Sequence, residues 1–489
     1  MALPAAESLF ASIQDPTDLD RLRAVIEEAG NSESLVPLGM RRLIVGPDAT
    51  SSVVDEVKFE LARLPRTIEK ANIVLLVDDT LILRLGVDLK TQVQDALAEH
   101  FTVTRVVLGH GGHLLADDDS IDQATAAIVG ADCVVSIGGG TVTDIGKVAT
   151  ATSEDLPLVV VQTAASVDGF TDNVSVILRN GVKRTIPSRW PDVVIADTTT
   201  IKDAPKSMNS AGLGEVLSLY TAPADWQLAA RLGLDSSFHQ TPRDLLLAFA
   251  GDPAVWAKGL SEGEESAVSR LTEVLAIRGI GTGVAGTTAC LSGAEHVTSH
   301  MLDMLAAAKG QTVGLHGAQV GAASLVAAAS WGLLLERLAE SDAQLVFPSE
   351  ADLEERVRAA FSRVDETGRQ GAECWNDYRS KLSAWAAQRE TVEALLHDRA
   401  GFSATFGALV PEPRILATAL VAAGSPTGVD GLEPWIDEDI WRWAVANCHF
   451  MRNRFTINDL LFFLGWWTDA DIDLVLERVR LATAEVAVS

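Results

Sequence analysis

From Arg42 onward the chain alternates continuously apolar runs with amphipathic ones. The runs RRLIVG, NIVLLVDD, VTRVVLG, DCVVSIGGG and LPLVVVQTAAS predict strands. Between them, SSVVDEVKFELARL, LKTQVQDALAEHF, SIDQATAAIVGA and TVTDIGKVATAT predict helices. Strands without polar alternation are apolar on both faces. Interleaved with helices, they predict a parallel, Rossmann-like sheet covered on both sides. Near Pro205 the pattern changes, and from Ser210 Ala and Leu recur at helical spacing, including most of Glu350 to Ala400 and Glu438 to Ala484. The expected organisation is a helical extension over 1–38, whose LDRLRAVIEEAG segment stops at Gly30, an α/β domain over 39–204 and an all-α domain over 205–489.

Composition narrows the class. The 489 residues are 47% hydrophobic and 22% charged, which describes a globular chain long enough for more than one domain. Acidic residues outnumber basic ones 67 to 39, giving a net charge of −28. That balance argues against nucleic acid or an anionic membrane as partner, and an anionic ligand must find a local positive patch. Cys133, Cys290, Cys374 and Cys448 are widely spaced with no CxxC, as free thiols in a reducing compartment would be. The N-terminus lacks the basic and apolar regions of a signal peptide. Val313 to Leu335 carries no formal charge and could span a bilayer by length, but its Gly, Ala and Ser content with His316 and Gln319 favours a buried core helix. A cytoplasmic homo-oligomer without a membrane partner is expected.

Candidate chemistry falls on both halves. In SIGGGTVTDIGK, Gly138, Gly139 and Gly140 join a strand to a helix, where bare backbone and helix amides can approach a diphosphate. Asp78 and Asp79 end a strand, where a carboxylate can accept hydrogen bonds from an adenosine ribose; a solvated strand end is the plain alternative. Asp168, in QTAASVDGF, falls on the same sheet edge. In the second half, His296 and His300 are four apart, on one helix face and about 6 Å apart along the axis. His316 follows in a glycine-flanked LHG segment, and Glu215 opens a helix after a glycine-rich turn. Three ligands from this set with an open position would make a Lewis-acid site for Zn²⁺, Ni²⁺ or Fe²⁺. Glu215 alone also reads as an acid favoured at a helix N-terminus. Glu295 points off the shared histidine face on this reading. Lys183 and Arg184, in the loop after SVILRNG, are either phosphate contacts or solvated surface charges.

Together these segments resemble the iron-containing alcohol dehydrogenase and dehydroquinate synthase superfamily. GGGTVTDIGK is similar to its GGGxxxDxxK cofactor loop, and QTAASVDGF to the PTxxSxDG segment of its glycerol-1-phosphate dehydrogenase branch. SAGLGEVLS, SGAEHVTSHMLD and HGAQVG resemble that branch's metal-binding segments in order, and MRNRFTINDLL its C-terminal RxRyTxLDLL segment. The resemblance runs from about residue 40 to 465. It implies a dehydroquinate synthase-like fold with the site between the two domains. It implies cofactor contacts at Asp78, Gly138, Gly139, Gly140, Thr141, Asp144, Lys147, Thr163 and Ser166. It places metal ligands at Glu215, His296 and His316, and substrate-handling groups at His300 and Asp168. Two positions depart from the branch: Glu215 stands where it usually has Asp, and Gln162 where it has Pro. The first resembles the cyclase branch, but that branch's KTG-type substrate segment is absent. The expected activity is a metal-dependent dehydrogenase interconverting dihydroxyacetone phosphate and sn-glycerol 1-phosphate. NAD(H) is expected over NADP(H), because the acid at Asp78 would repel a 2′-phosphate. The alternatives are a sugar-phosphate cyclase using NAD transiently and a non-catalytic nucleotide-binding descendant.

Overall fold

The computed structural model describes all residues except 1–8, 11–12, 14, 66–69, 110–113, 154–155, 180–181, 342–343 and 489. The first half holds ten strands: β1 (Arg42–Gly46), β2 (Asn72–Val77), β3 (Leu83–Arg84), β4 (Val87–Asp88), β5 (Thr102–Val107), β6 (Cys133–Gly138), β7 (Leu158–Gln162), β8 (Val174–Arg179), β9 (Val182–Pro187) and β10 (Val193–Asp197). Six of them form one parallel sheet in the order β1-β10-β7-β6-β2-β5, the arrangement expected of unbroken apolar strands. Alternate residues serve opposite faces. Ile73, Leu75 and Val77 join a core with Val53, Val57, Val93 and Leu97 of two covering helices. Val74 and Leu76 join a second core with Ala124 and Ile145 from helices on the other face.

The structure adds two features to the sequence reading. β10 inserts between β1 and β7. The connection reaching it from β7 carries the antiparallel β8–β9 hairpin instead of a crossover helix, so the strand–helix rhythm that marks the other strands is missing there. Lys183 and Arg184 therefore lie on a strand and not in a loop. Asn180 and Gly181, at the end of the SVILRNG segment, are outside the described residues.

After β10 every described element is helical. The His316–Glu340 helix covers most of the uncharged run considered above as a membrane span; 89% of its apolar window is buried inside the protein. The four cysteines are free and buried. In the N-terminal extension the helix Leu19–Glu28 buries Leu19, Leu22, Val25 and Ile26 in the large core, and Val36 donates its amide to Val284 in the helical half.

Two internal ties organise the helical half. Asp225 is fully interior: one oxygen accepts from Trp331 Nε1 (3.1 Å) and the Ile457 amide (3.1 Å), the other from the Ala294 amide (2.9 Å). Burial, and then the neighbouring Glu295, push its carboxyl well above the usual range. The second tie is a backbone approach between the helices Lys206–Leu217 and His316–Glu340. A Cβ at Gly214 would stand 2.0 Å from the Gly317 carbonyl oxygen and 3.0 Å from Gly321 Cα. Neither backbone can yield cheaply, so Gly214→Ala is expected to cost about 1–3 kcal/mol and lower the melting temperature in calorimetry. Gly332→Ala, later in the same second helix, meets only Arg478 Nη1 at 3.9 Å. It should leave stability unchanged or raise it by up to about 1 kcal/mol.

Candidate active site

A cavity of about 1070 Å³ opens where the C-terminal ends of the sheet strands meet the helical half. Asp78, Gly139, Gly140, Thr141, Asp144, Thr163, Ser166 and Asp168 line it from the sheet side. Glu215, Arg278, His296, His300 and His316 line it from the helices. Such a crevice at the strand ends is where open α/β sheets take ligands.

On the sheet side, β6 runs into the helix Gly140–Thr150, with Gly139 as its N-cap. A Cβ at Gly139 would meet nothing within 4 Å, whereas one at Gly138 would strike Val142 at 2.7 Å and one at Gly140 Val167 at 2.8 Å. Gly138 and Gly140 are thus required by packing, and Gly139 offers bare backbone to the cavity beside a helix N-terminus. That combination suits a diphosphate. The Thr163 amide donates to the Gly138 carbonyl (3.3 Å), tying the end of β7 to the loop.

Lys147 is a correction to the sequence reading. It is fully buried and outside the cavity lining, with its ammonium given to Gly169 O (2.7 Å), Asp172 Oδ1 (2.6 Å), Val174 O and Asp144 Oδ1 (3.1 Å). Lys147 braces the loop after β7 and has no donor left for a cofactor. Asp144 reaches the cavity wall while also accepting from the Val176 amide (3.2 Å). Asp78 stands at the cavity, with one oxygen on the buried Lys90 ammonium and the other accepting from Thr80 Oγ1 (2.8 Å). Asp79 is exposed.

On the helical side, three separated elements converge. Glu215 lies in the last turn of Lys206–Leu217, His296 in the first turn of Ala294–Lys309, and His316 opens the next helix. Glu215 is interior to its helix and not at the N-terminus, which removes the macrodipole reading. One ligand atom from each of these residues lies within 4.8 Å of the others. His296 Nε2 is 3.1 Å from Glu215 Oε1, and His316 Nε2 is 3.9 Å from Glu215 Oε2.

The outer nitrogens of both imidazoles are fixed. His296 Nδ1 meets Glu295 Oε1 at 2.9 Å, and that carboxylate also accepts from Gly293 N (2.6 Å) and Thr221 Oγ1 (2.8 Å). Glu295 is therefore wholly buried and functional in orientation, against the sequence reading that set it aside. Ser299 Oγ donates to Gln319 Oε1 (2.7 Å), so it accepts from His316 Nδ1 (2.8 Å). These contacts fix both rings so that both Nε2 atoms are directed inward, the orientation of metal-ligating histidines; His296, with a carboxylate at each nitrogen, is held toward its protonated form by Glu215 and then Glu295 against burial. Glu215 Oε2 is buried without a hydrogen-bond partner. The Glu215 carboxylate thus lies between the two Nε2 atoms, Oε1 toward His296 and the orphaned Oε2 toward His316, and a divalent cation taking the place of the His296 proton would satisfy all three.

The other side of Glu215 is held by Arg278, which the sequence reading missed. Its guanidinium pairs with Asp168 Oδ2 and with Glu215 Oε1 (3.0 Å), and donates to Ser218 Oγ (2.9 Å) and Leu291 O (2.7 Å). Burial alone would raise the Glu215 carboxyl, but Arg278, then His296 and His316, hold it far below the carboxylate range. For Asp168 burial dominates and Arg278 only partly opposes it, so its carboxyl is raised. Burial, then Lys183, keeps His316 well below its usual value; burial, then Arg452 and Lys183, does the same for His300. Both are neutral at physiological pH. His300 stacks on His316, ring centroids 5.2 Å apart, and its Nδ1 is unpartnered. Lys183 Nζ reaches the cavity and pairs with Asp303 Oδ2 at 2.5 Å. Arg184 does not line it: it pairs with Glu373 and with Asp377 (3.2 Å).

Residues 53–205 match the family described as iron-containing alcohol dehydrogenase. Among curated relatives, the glycerol-1-phosphate dehydrogenase [NAD(P)+] of Thermococcus kodakarensis is 30% identical over 259 residues, 53% of this chain and 72% of the relative. The enzyme of that name from Geobacillus stearothermophilus is 25% identical over 454 residues, 91% of this chain and 98% of the relative. That from Halalkalibacterium halodurans is 33% identical, covering 44% of this chain and 54% of the relative, so the chain spans about half the length of that relative. Among solved structures, a probable glycerol dehydrogenase from Sinorhizobium meliloti superposes with a TM-score of 0.54 at 16% identity, covering 92% of this chain and 98% of that one. This last likeness is one of fold.

The open backbone at Gly139 yields a direct test. Gly139→Val fills cavity space without striking the protein. It should weaken NAD binding in calorimetry at least tenfold, with metal content and melting temperature near those of the parent. Unaltered NAD binding would move the dinucleotide away from this loop.

Proposed function

This chain belongs to the iron-containing alcohol dehydrogenase family, in its glycerol-1-phosphate dehydrogenase branch, and from that premise we propose that it is a metal-dependent, nicotinamide-linked dehydrogenase interconverting dihydroxyacetone phosphate and sn-glycerol 1-phosphate. The observation that carries this reading is the Glu215 carboxylate between two inward imidazoles, Oε1 beside His296 Nε2 and the orphaned Oε2 toward His316 Nε2, in the same cavity as the bare Gly139 backbone.

Glu215, His296 and His316 would hold one divalent ion, Zn²⁺, Ni²⁺ or Fe²⁺, and the Gly139 loop would take the dinucleotide diphosphate. Bound together, the two groups supply a Lewis acid for the C2 oxygen and a hydride partner for C2. The protein's own residues do the rest. Glu295 and Ser299 keep the Nε2 atoms of His296 and His316 directed inward. Arg278 fixes one Glu215 oxygen, leaving the other to bind through a single atom, and this holds the longer Glu side chain in place of the usual Asp. Arg278 also orients Asp168 toward the substrate hydroxyls. His300, neutral and with a free Nδ1, is the group positioned to exchange a proton with the C2 hydroxyl through water. NAD(H) is the preferred cofactor, through Asp78.

Glu215 itself favours a second reading, the cyclase branch, whose sites return NAD unchanged after a transient oxidation. The two separate cleanly. Metal analysis with NADH oxidation on dihydroxyacetone phosphate and on dihydroxyacetone should show stoichiometric NADH consumption for a dehydrogenase and none for a cyclase.

Glu215→Ala and His316→Ala should each lose the metal and nearly all turnover while NAD binding survives in calorimetry. His300→Ala should keep the metal and lose rate. Glu215→Asp should be the mildest of these changes. Full activity of metal-stripped protein would sink the mechanism. Asp78→Ser removes a carboxylate and leaves the Lys90 ammonium beside the expected ribose position. The NAD/NADP ratio of kcat/KM should fall at least tenfold, and an unchanged ratio would remove Asp78 from cofactor choice.

A further inference from the structure

Behind the cavity wall stand two arginines that form no ion pair with a carboxylate among the described residues. Arg452 and Arg454 lie in the short segment between the turn Cys448–Phe450 and the helix Ile457–Phe463. Most buried cations of this acidic chain are committed to carboxylates, as Lys147 is to Asp172 and Lys381 to Asp459. Arg454 is instead spent on neutral groups, donating to Ser292 O (2.5 Å), Ser292 Oγ (2.7 Å) and Thr288 Oγ1 (2.7 Å). Thr288 and Ser292 both line the cavity. Arg452 makes one hydrogen bond, from Nη2 to the Lys183 carbonyl (3.3 Å). Its other donors have no protein partner among the described residues. A guanidinium carries five N–H donors in a planar fork, so most of its capacity is unused.

Burial, then repulsion from Arg454 and Arg184, pushes Arg452 down to about 9. A side chain that ordinarily never loses its proton is short of negative charge here. Lys183 and His300 line the cavity, and Arg452 stands directly behind them, bonded to the Lys183 carbonyl and, with Lys183, one of the two leading charges acting on His300. Asp303 faces the same space and is neutralised by Lys183.

We propose that Arg452 and Lys183 seat the phosphate monoester of the substrate beside His300, with Arg454 a positioning residue that braces the Thr288–Ser292 wall. This rests on the dehydrogenase reading for the identity of the substrate but not for the anion site. A phosphate dianion accepts two parallel N–H bonds from the Arg452 fork and a third from Lys183, which keeps Asp303 on another of its protons. In a chain of net charge −28, this is the local positive patch an anionic substrate needs.

The test uses the full-length, metal-loaded protein with NAD bound, as parent, Arg452→Gln and Arg452→Lys. Inorganic phosphate binding is followed by calorimetry, and kcat/KM is measured for dihydroxyacetone phosphate and for dihydroxyacetone. Arg452→Gln should weaken phosphate binding at least tenfold and lower the preference for the phosphate ester by a similar factor, mainly through KM. Arg452→Lys, which keeps charge but not the fork, should fall between. NAD affinity near the parent value shows the variants are folded; if Arg452→Gln fails that check, Arg452→Lys carries the test. Undiminished phosphate binding in the folded variants overturns the proposal. Phosphate binding that depends on Arg452 in a parent that turns over neither ketone would uphold the anion site and overturn the dehydrogenase reading instead.

Discussion

The approach of Gly214 to Gly317 sets the scale of everything around it. Helices normally keep their axes 8–10 Å apart because side chains stand between them. Here a carbonyl of one lies where the other's Cβ would be. Glu215 and His316 are the residues next to these two glycines, so the contact that closes the gap also brings a carboxylate within reach of an imidazole. The third candidate ligand, His296, comes from Ala294–Lys309, which is fastened to the same helix through Ser299, His316 and Gln319. The positions of these three side chains are thus set by helix packing, a stiffer support than a loop.

Around this constraint the electrostatics are local and nearly balanced, despite the acidity of the whole. Asp168, Glu215 and Glu295 bring three carboxylates into a buried region, and Arg278 is the cation that touches two of them. Burial keeps His300 and His316 neutral. A neutral imidazole keeps a lone pair on one nitrogen, so a cation entering here finds one at His316, whereas at His296, raised by Glu215 and Glu295 against burial, it displaces a proton.

Much of this was legible in the sequence, for a definite reason. The α/β-then-helical order follows from hydrophobic runs, which are local. The Gly138–Gly140 loop and the His296/His300 spacing are also local, and their order along the chain carries the family resemblance. What escaped depends on tertiary burial. Lys147 sits in the cofactor-loop motif, yet it is consumed by backbone carbonyls from a distant loop that no spacing reveals. Arg184, next to Lys183 on the same strand, turns instead to Glu373 and Asp377 of the helix Arg369–Ala387. Glu295 looked peripheral because helical phase alone turns it away, whereas the Gly293 turn folds back onto it. Arg278 did leave a trace: it is the only charged residue between Glu273 and Glu295. A lone cation inside a long uncharged stretch is a buried charge in want of a partner.

Asp225 has a further consequence, for the order in which the molecule can be built. Its carboxylate joins the start of the Ala294 helix, Trp331 and the Ile457 amide, the last 232 positions away in sequence. Until residue 457 has left the ribosome, the carboxylate lacks one of its three donors, and a buried acid with a donor missing is costly. The parallel sheet can form early, since its strands end by Asp197. The helices that carry Glu215, His296 and His316 then wait on nearly the whole remaining chain. Such long-range closure slows folding and prolongs the exposure of apolar helices such as His316–Glu340. Synthesis of this protein therefore passes through a stage with a finished sheet and an open helical half, the stage at which a chaperone would be of most use.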